Sequence, residues 1–453
     1  MQPVNQPVTA SPPVDSTGPR RRRRRLLFKL TITCFALLLA EICGEVICRV
    51  RYGPPAELQK LRRDIATSSP LTQGASNDVE LPVVIHPYQG VVTRPTTETD
   101  RAAAQPGQFV GTFGFRGIDS PILKRSEDQL IIAVVGGSVA RQFVDNASES
   151  LKHELATHPK YRNRIITILP LAVNGYKQPQ QLTMLAYLMT LGAEFDIVIN
   201  LDGLNEIALP AIDNVPMGVF SAFPRQWGTV ITTAESVEVK RRIGYATYLR
   251  LATRDSARFF DRWPLKHSRI SLVAWKILDD RRSLELQQEQ HRLAELLGSK
   301  LEYAASGPPE EFTDADAAYS KSADIWSRAS FQLHGLCSAN NTLYFHFLQP
   351  NQYVDGSKPM NAEEVARSVS DNSPFRDPVR HAYPLLLQKG AELKQQGVRF
   401  TDLTQAFSQT GEPVYIDDCC HLNQSGTEIL AQEISQTILS ELSRLDGSDL
   451  QND

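Results

Sequence analysis

Two short stretches, far apart in the chain, hold the side chains that acyl transfer needs. VVGGSVA puts Ser138 on a Gly-Gly turn directly after the apolar run Leu130–Val135. DDCCHLN, near the C-terminus, supplies an acid and an imidazole three residues apart, Asp418 and His421. Nucleophilic acyl transfer requires a hydroxyl, a base to take its proton and an acid to hold the base in one tautomer. Ser138, His421 and Asp418 fill those roles, so the chain reads as a serine hydrolase or acyltransferase. Asp417 is the alternative acid, its other uses being a cap on the following helix or solvent exposure.

The glycines before Ser138 permit a tight strand-to-helix turn and close approach of a substrate. A serine N–H at the start of a helix also points toward developing negative charge. Two further blocks lie between the serine and the histidine, LAVNGYKQPQQL and DGLNE. Together the four resemble the SGNH (GDSL-type) hydrolase family over residues 130–205 and 415–440. That family's blocks centre on Ser, Gly, Asn and His in this chain order, matched here by Ser138, Gly175, Asn205 and His421, with Asp418 matching D-x-x-H. Gly137 stands where the commonest form has Asp, and Glu206 stands where G-x-N-D ends in Asp. The resemblance implies an oxyanion hole built from the Ser138 and Gly175 N–H groups and the Asn205 amide. It also implies carbohydrate or lipid esters as substrates, and a flavodoxin-like three-layer α/β/α sandwich.

Those residues must be carried to one rim. Five segments read as buried strands: Leu130–Val135, Arg164–Leu169, Phe195–Leu201, Thr342–Leu348 and Val398–Leu403. Each is short, rich in β-branched or aromatic residues and bounded by loop signals. Helical patterns at Ser148–Thr157, Gln178–Leu191, His381–Gln396 (interrupted by Pro384) and Gln424–Leu445 separate or follow them. Alternating strands and helices predict an α/β fold with a five-stranded, mostly parallel sheet covered on both faces. Ligands of such sheets bind outside the carboxyl ends of the strands. Ser138, Gly175 and Asn205 all fall just past a strand end.

The domain reading follows from these elements. A basic, disordered tail (1–25) precedes a transmembrane anchor (26–50) and a connecting segment (51–125). The catalytic domain comes from 126–208 and 341–445, interrupted by a mainly helical insertion at 209–340, and 446–453 form a disordered tail. The insertion could be a cap over the site, a docking surface or an arm along the membrane.

Net charge is −3, yet residues 1–50 carry eight Lys/Arg against three Asp/Glu, which leaves −8 on the remainder. A mildly acidic body argues against nucleic acid as a partner. Arg20–Arg25 form an unbroken basic block before LLFKLTITCFALLLAEICGEVIC. From Leu30 to Ile47 an α-helix spans about 27 Å, enough to cross a hydrocarbon core. The arginines predict a cytoplasmic N-terminus with the body on the opposite side. No small-x-small cleavage site follows the apolar run, so an uncleaved anchor is expected rather than a signal peptide.

Other residues take lesser roles. His346, Gln349 and Asn351 could touch substrate, the competing reading being that His346 packs in the sheet. Arg225 and Trp227 form a ligand pair or, by preference, a packing pair. In an extracytoplasmic body, Cys337 could bridge to Cys419 or Cys420, while buried reduced cysteines are the other reading. The histidines lack metal-ligand spacing, so no metal and no cofactor is expected. Oligomeric state stays open. The expected activity is ester hydrolysis through an acyl-Ser138 intermediate on a small-molecule or polysaccharide ester. Its alternatives are transfer of the acyl group to a sugar hydroxyl, and a non-catalytic scaffold that keeps the fold.

Overall fold

The computed structural model describes residues 19–67, 83–103, 107, 109–297 and 303–449. Residues 1–18 of the tail expected at 1–25, and the last residues, 450–453, lie outside them, while residues 19–25 of that tail are already helical, within the helix Pro19–Ile47. The chain divides into two compact units, Met1–Val79 with Val237–Glu295 and Glu80–Ser236 with Leu296–Asp453.

The larger unit is a mixed α/β structure. A hairpin of β1 (Val83–His86) and β2 (Gly90–Thr93) precedes a five-stranded sheet. The strands of that sheet are β3 (Gln129–Gly136), β4 (Ile165–Pro170), β5 (Ile197–Asp202), β6 (Leu343–Leu348) and β7 (Arg399–Asp402). All pairings are parallel, in the order β4-β3-β5-β6-β7. The expected strands agree with these to within two residues at each end. β3 and β5 are buried almost throughout, as a parallel sheet covered on both faces requires.

Chain progression reverses at β3. Right-handed connections therefore put the helix Ser138–Leu155 on one face, and Gln180–Thr190, Ala315–Ala339 and Arg376–Gln395 on the other. The closing helix Gln424–Asp449 packs against Ser138–Leu155. That first helix begins ten residues earlier than its polar Asn146–Ser148 stretch suggests. Val139, Ala140, Phe143 and Val144 are buried against the sheet, and this burial carries the helix back to the serine. The helix Arg376–Gln395 runs through Pro384, which faces solvent, where water can serve the carbonyl that proline leaves unpaired.

The boundaries expected for the insertion change. Ala315–Ala339 is the crossover helix between β5 and β6, with Trp326 and Cys337 buried in the main core. Trp227–Glu235 belongs to the same unit, and residues 83–125 contribute Val91 and Phe115 to its core. Only Val237–Glu295 separates, joining the N-terminal segment. The closing helix also continues to Asp449, beyond the expected start of the tail at 446.

The smaller unit contains the single helix among the described residues that is long and apolar enough to cross a membrane, Arg23–Tyr52. Its far end is pinned to the turn that joins the helices Val237–Phe260 and Arg269–Leu297. Glu41 accepts hydrogen bonds from Ser268 Oγ and Arg269 N, and Glu45 pairs with Arg269 at 2.9 Å. Gly44 lies so close to this turn that a Cβ would sit 2.6 Å from Ile270 N. Cys48, Leu58, Leu272 and Trp275 form a small core, and Arg62 is buried with its guanidinium 3.2 Å from Asp261. Trp263 on this turn is 78% exposed, and Phe259, in the last turn of the preceding helix, is 53% exposed.

Candidate active site

Ser138 opens its helix directly after β3, with Gly137 as the N-cap. The N–H groups of a helix's first turn have no intrahelical acceptor, so they are available at this rim. Gly136 holds φ at 142°, and a Cβ there would sit 2.1 Å from Leu201 O. The sharp exit from the strand therefore requires glycine at that position.

The imidazole arrives from the other end of the chain, on the loop after β7. His421 Nε2 lies 2.8 Å from Ser138 Oγ, and its Nδ1 is hydrogen-bonded to Asp417 Oδ2. A carboxylate only accepts, so Nδ1 carries the proton and Nε2 is left to accept from the serine. This is the tautomer a general base needs.

The carboxylate that meets His421 Nδ1 is Asp417, which corrects the expectation of Asp418. Asp417 Oδ1 also accepts the backbone N–H groups of Cys419, Cys420 and His421 at 3.0, 3.1 and 3.2 Å. A carboxylate four residues before the histidine can close such a loop on itself, and these N–H groups aim its second oxygen at the ring. Among the described residues Asp418 makes no hydrogen bond to His421, and its backbone carbonyl accepts from Ser373 Oγ at 3.0 Å. Burial by itself would raise the Asp417 carboxyl. The hydrogen bonds and charge of His421, with the N–H of Cys419, outweigh that and lower it to about 2.

Asn205 stands at the second position of the helix Leu204–Leu209, which follows β5. Its Nδ2 donates to Tyr176 O at 2.8 Å. A Cβ on Gly137 would fall 2.1 Å from that nitrogen and 3.4 Å from Tyr176 O. The bare glycine thus allows the amide to lie against the backbone just before Ser138. Gly175, at φ 78°, is the neighbour of Tyr176 in the same turn. Ser138, Asn205, His421 and the Gly175 turn therefore converge where β3 and β5 end, the pair of strands flanking the reversal in strand order. Ligands of open α/β sheets bind at such a crevice.

Behind this rim lies a buried polar layer. Asp202 accepts from Trp326 Nε1 at 2.7 Å and lies 2.8 Å from His346 Nε2, while His346 Nδ1 meets Ser330 Oγ at 2.7 Å. His346 is fully buried, so it packs in the sheet and does not face substrate. Glu206 binds Gly203 N at 2.8 Å; burial first, then the charge of Asp202, push its carboxyl up to about 8. Lys177 donates to Ser221 O at 2.5 Å, and burial depresses its ammonium to about 7.

A support that sequence reasoning missed holds the loop bearing the acid and base. Asn351 Nδ2 donates to Cys419 O, and Gln352 Nε2 to Asp417 O, each at 2.9 Å. Glu364 Oε1 accepts the N–H groups of Val414 and Tyr415 at 2.7 and 2.9 Å. Lys358 pairs with Glu364 at 2.9 Å, both side chains fully buried. The advance signal for it is the polar run QPNQY after β6, whose Gln349 and Asn351 could from sequence touch substrate. Gln349 and Asn351 are buried too, and Asn351 positions backbone.

Arg225 pairs with Asp213 at 2.7 Å and lies over Gly175, its Cδ 3.1 Å from where a Cβ would be. Trp227 stacks edge-on with Phe223 and donates to Ala304 O at 2.9 Å. Trp227 therefore packs, near Gly90, while Arg225 is an ion-paired side chain over the Gly175 turn. Cys337, Cys419 and Cys420 are free. Cys337 lies at the entry end of β6, where its carbonyl receives Thr342 N, whereas the other two flank the exit end. The strand's length separates them, so the bridge considered from sequence does not form.

Among the described residues one group has metal-ligand character, Cys419, Cys420 and His421, with ligand atoms within 4.8 Å of one another. Both nitrogens of His421 are already engaged, so ligation would dismantle the Ser-His-Asp arrangement. Compared with known proteins, the chain matches no family model and no curated sequence.

Proposed function

We propose that this protein is a membrane-anchored serine ester hydrolase of the SGNH type, acting outside the cytoplasm through an acyl-Ser138 intermediate. The observation that carries the proposal is the 2.8 Å contact between Ser138 Oγ and His421 Nε2, with Asp417 behind the ring. The sheet supports it: counted along the chain, its strands run 2-1-3-4-5, the flavodoxin-like order.

In the reaction Ser138 Oγ attacks the ester carbonyl as His421 Nε2 takes its proton. Negative charge gathers on the carbonyl oxygen and is met by the Ser138 and Gly175 N–H groups and by Asn205 Nδ2. One such donor is worth about 3 kcal/mol in the barrier. The intermediate collapses, the alcohol leaves with the proton from His421, and water repeats the cycle to release the acid. Asp417, bound by three backbone N–H groups, stabilises the imidazolium without taking its proton.

The body's acidic balance and polar surface favour carbohydrate esters over lipid esters. The basic block Arg20–Arg25, at the start of the apolar helix, favours a cytoplasmic N-terminus. Trp263, exposed on the turn packed against Glu41 and Gly44, and Phe259, exposed at the end of the helix before it, suit the headgroup zone at the far end of such a span.

The test is labelling of the full chain in detergent micelles by a fluorophosphonate, with the adduct mapped by mass. Ser138 should carry the label, and Ser138→Ala should carry none. Absence of label on the folded wild type, or equal labelling of the variant, would leave a non-catalytic scaffold as the better reading.

A further inference from the structure

The loop bearing the acid and base contains a feature that ester hydrolysis does not use. Cys419 and Cys420 are adjacent in sequence, and their sulfurs lie 3.1 Å apart. Cys419 is half-buried and Cys420 is buried. The peptide joining them is held at both ends. Its carbonyl, Cys419 O, accepts from Asn351 Nδ2 at 2.9 Å, and its N–H, on Cys420, donates to Asp417 Oδ1 at 3.1 Å. The neighbouring N–H groups of Cys419 and His421 bind that same oxygen. The carboxylate that orients His421 is therefore clamped by the backbone of the two thiol residues.

We propose that Cys419 and Cys420 form an oxidisable dithiol site whose closure to a vicinal disulfide disengages Asp417 from His421 and silences Ser138. The inference rests on the hydrolase reading for its effect, though not for its chemistry. The oxidant is a low-molecular-weight disulfide, of the kind that persists outside the cytoplasm. The Cys419 thiolate, being the accessible one, attacks a sulfur of the oxidant and expels one thiolate, forming a mixed disulfide. Cys420 gives up its proton and attacks Cys419 Sγ, expelling the second thiolate. Two protein thiols become one disulfide, and one oxidant molecule becomes two thiols. Contact between the sulfurs makes the second step effectively unimolecular, which offsets the burial of Cys420.

The structural consequence follows from covalent geometry. Consecutive Cα atoms sit about 3.8 Å apart across a trans peptide. Ordinary disulfides span about 4.4–6.8 Å between Cα atoms. Bridging neighbours therefore forces the 419–420 peptide to rotate. Rotation cannot keep both the Asn351 and the Asp417 hydrogen bonds, so the carboxylate loses its clamp. A bridge strained in this way is also readily reduced, which makes the site reversible.

The experiment uses the full chain in detergent micelles, with a metal chelator throughout. Protein is equilibrated with glutathione disulfide or with dithiothreitol, alkylated and digested, and Ser138 labelling by the fluorophosphonate is timed in parallel. The peptide holding Cys419 and Cys420 should lose two hydrogens and escape alkylation after oxidation. Labelling should slow at least tenfold, an order-of-magnitude expectation set by loss of the orienting acid. Dithiothreitol should restore it, and Cys419→Ser should label at one rate in both buffers. Free alkylation of both thiols after oxidation overturns the proposal, as does stable glutathione on Cys419. A bridged peptide with unchanged labelling overturns the silencing. Failure of the hydrolase reading looks different: Ser138 would not label in either buffer, while the mass readout would still report the bridge.

Discussion

Replacing Asp417 by Asn separates the two candidate acids. In the wild type Asp417 Oδ2 receives the proton of His421 Nδ1 while Oδ1 receives three backbone N–H groups. Asparagine keeps one oxygen, and the three N–H groups will hold it in place. Its amide nitrogen must then face Nδ1 as a donor. That forces the imidazole into the tautomer with the proton on Nε2, which cannot accept from Ser138. Loss of the correct tautomer in such a triad costs about 10⁴-fold in kcat, equivalent to about 5.5 kcal/mol in the barrier. Asp418→Asn removes nothing the triad uses and should alter kcat less than threefold, by order of magnitude. Hydrolysis of p-nitrophenyl acetate by the full chain in micelles, with each variant's fold checked by circular dichroism, measures both. Equal losses in the two variants, or an Asp417→Asn enzyme within tenfold of wild type, would refute the assignment of the acid. The same carboxylate leaves a mark on stability. Its folded value is depressed from 3.8 to about 2, so its stabilisation is fully present above 3.8 and is lost as pH falls through about 2. Discounted for the 40% exposure of its side chain, this is about 1 kcal/mol. Asp417→Asn should flatten that part of the acid-unfolding curve.

Three further outcomes follow. Gly137→Ala places a Cβ where Asn205 Nδ2 now sits, 2.1 Å away. The amide should yield while the fold survives, lowering kcat about 10²-fold as for a lost oxyanion donor; unchanged kcat would remove Asn205 from the hole. Lys358→Met strands Glu364 in the core and should destabilise the protein by about 3–5 kcal/mol. Lys358→Met with Glu364→Leu should melt above that single variant, and a melting order with the double variant lowest would show that the hydrogen bonds from Val414 and Tyr415 to Glu364 outweigh its unpaired charge. Brominated lipids in nanodiscs should quench the wild-type indole fluorescence more than that of Trp263→Phe. Equal quenching in the two, with the protein still resisting alkaline carbonate extraction, would lift this turn off the bilayer without dislodging the anchor.

Much of the architecture could be read from the linear order of residue types. Strands such as Leu130–Val135 and Phe195–Leu201 announce themselves because a sheet buried on both faces is built mostly of apolar residues. Glycine pairs and loop signals then mark where each strand stops, which is why Ser138 and Asn205 could be assigned to one rim before any contact was known. The long apolar helix was equally plain, since a largely apolar stretch of eighteen residues, Leu30–Ile47, follows six arginines.

What folding alone decided is direction and partnership. Asp417 and Asp418 are identical in type and adjacent, and only the three N–H groups that converge on Asp417 decide which carboxylate meets the imidazole. The start of the Ser138–Leu155 helix depends on Val139 and Phe143 finding the sheet, a long-range burial that local polarity at Asn146–Ser148 conceals. Ala315–Ala339 looked like part of an insertion because helical pattern carries no record of which layer a helix covers. The Lys358–Glu364 pair shows no periodicity at all. Local sequence encodes the preferences of each segment, whereas hydrogen-bond direction and burial of charge are properties of pairs brought together across the fold, and these exist only once the chain has closed.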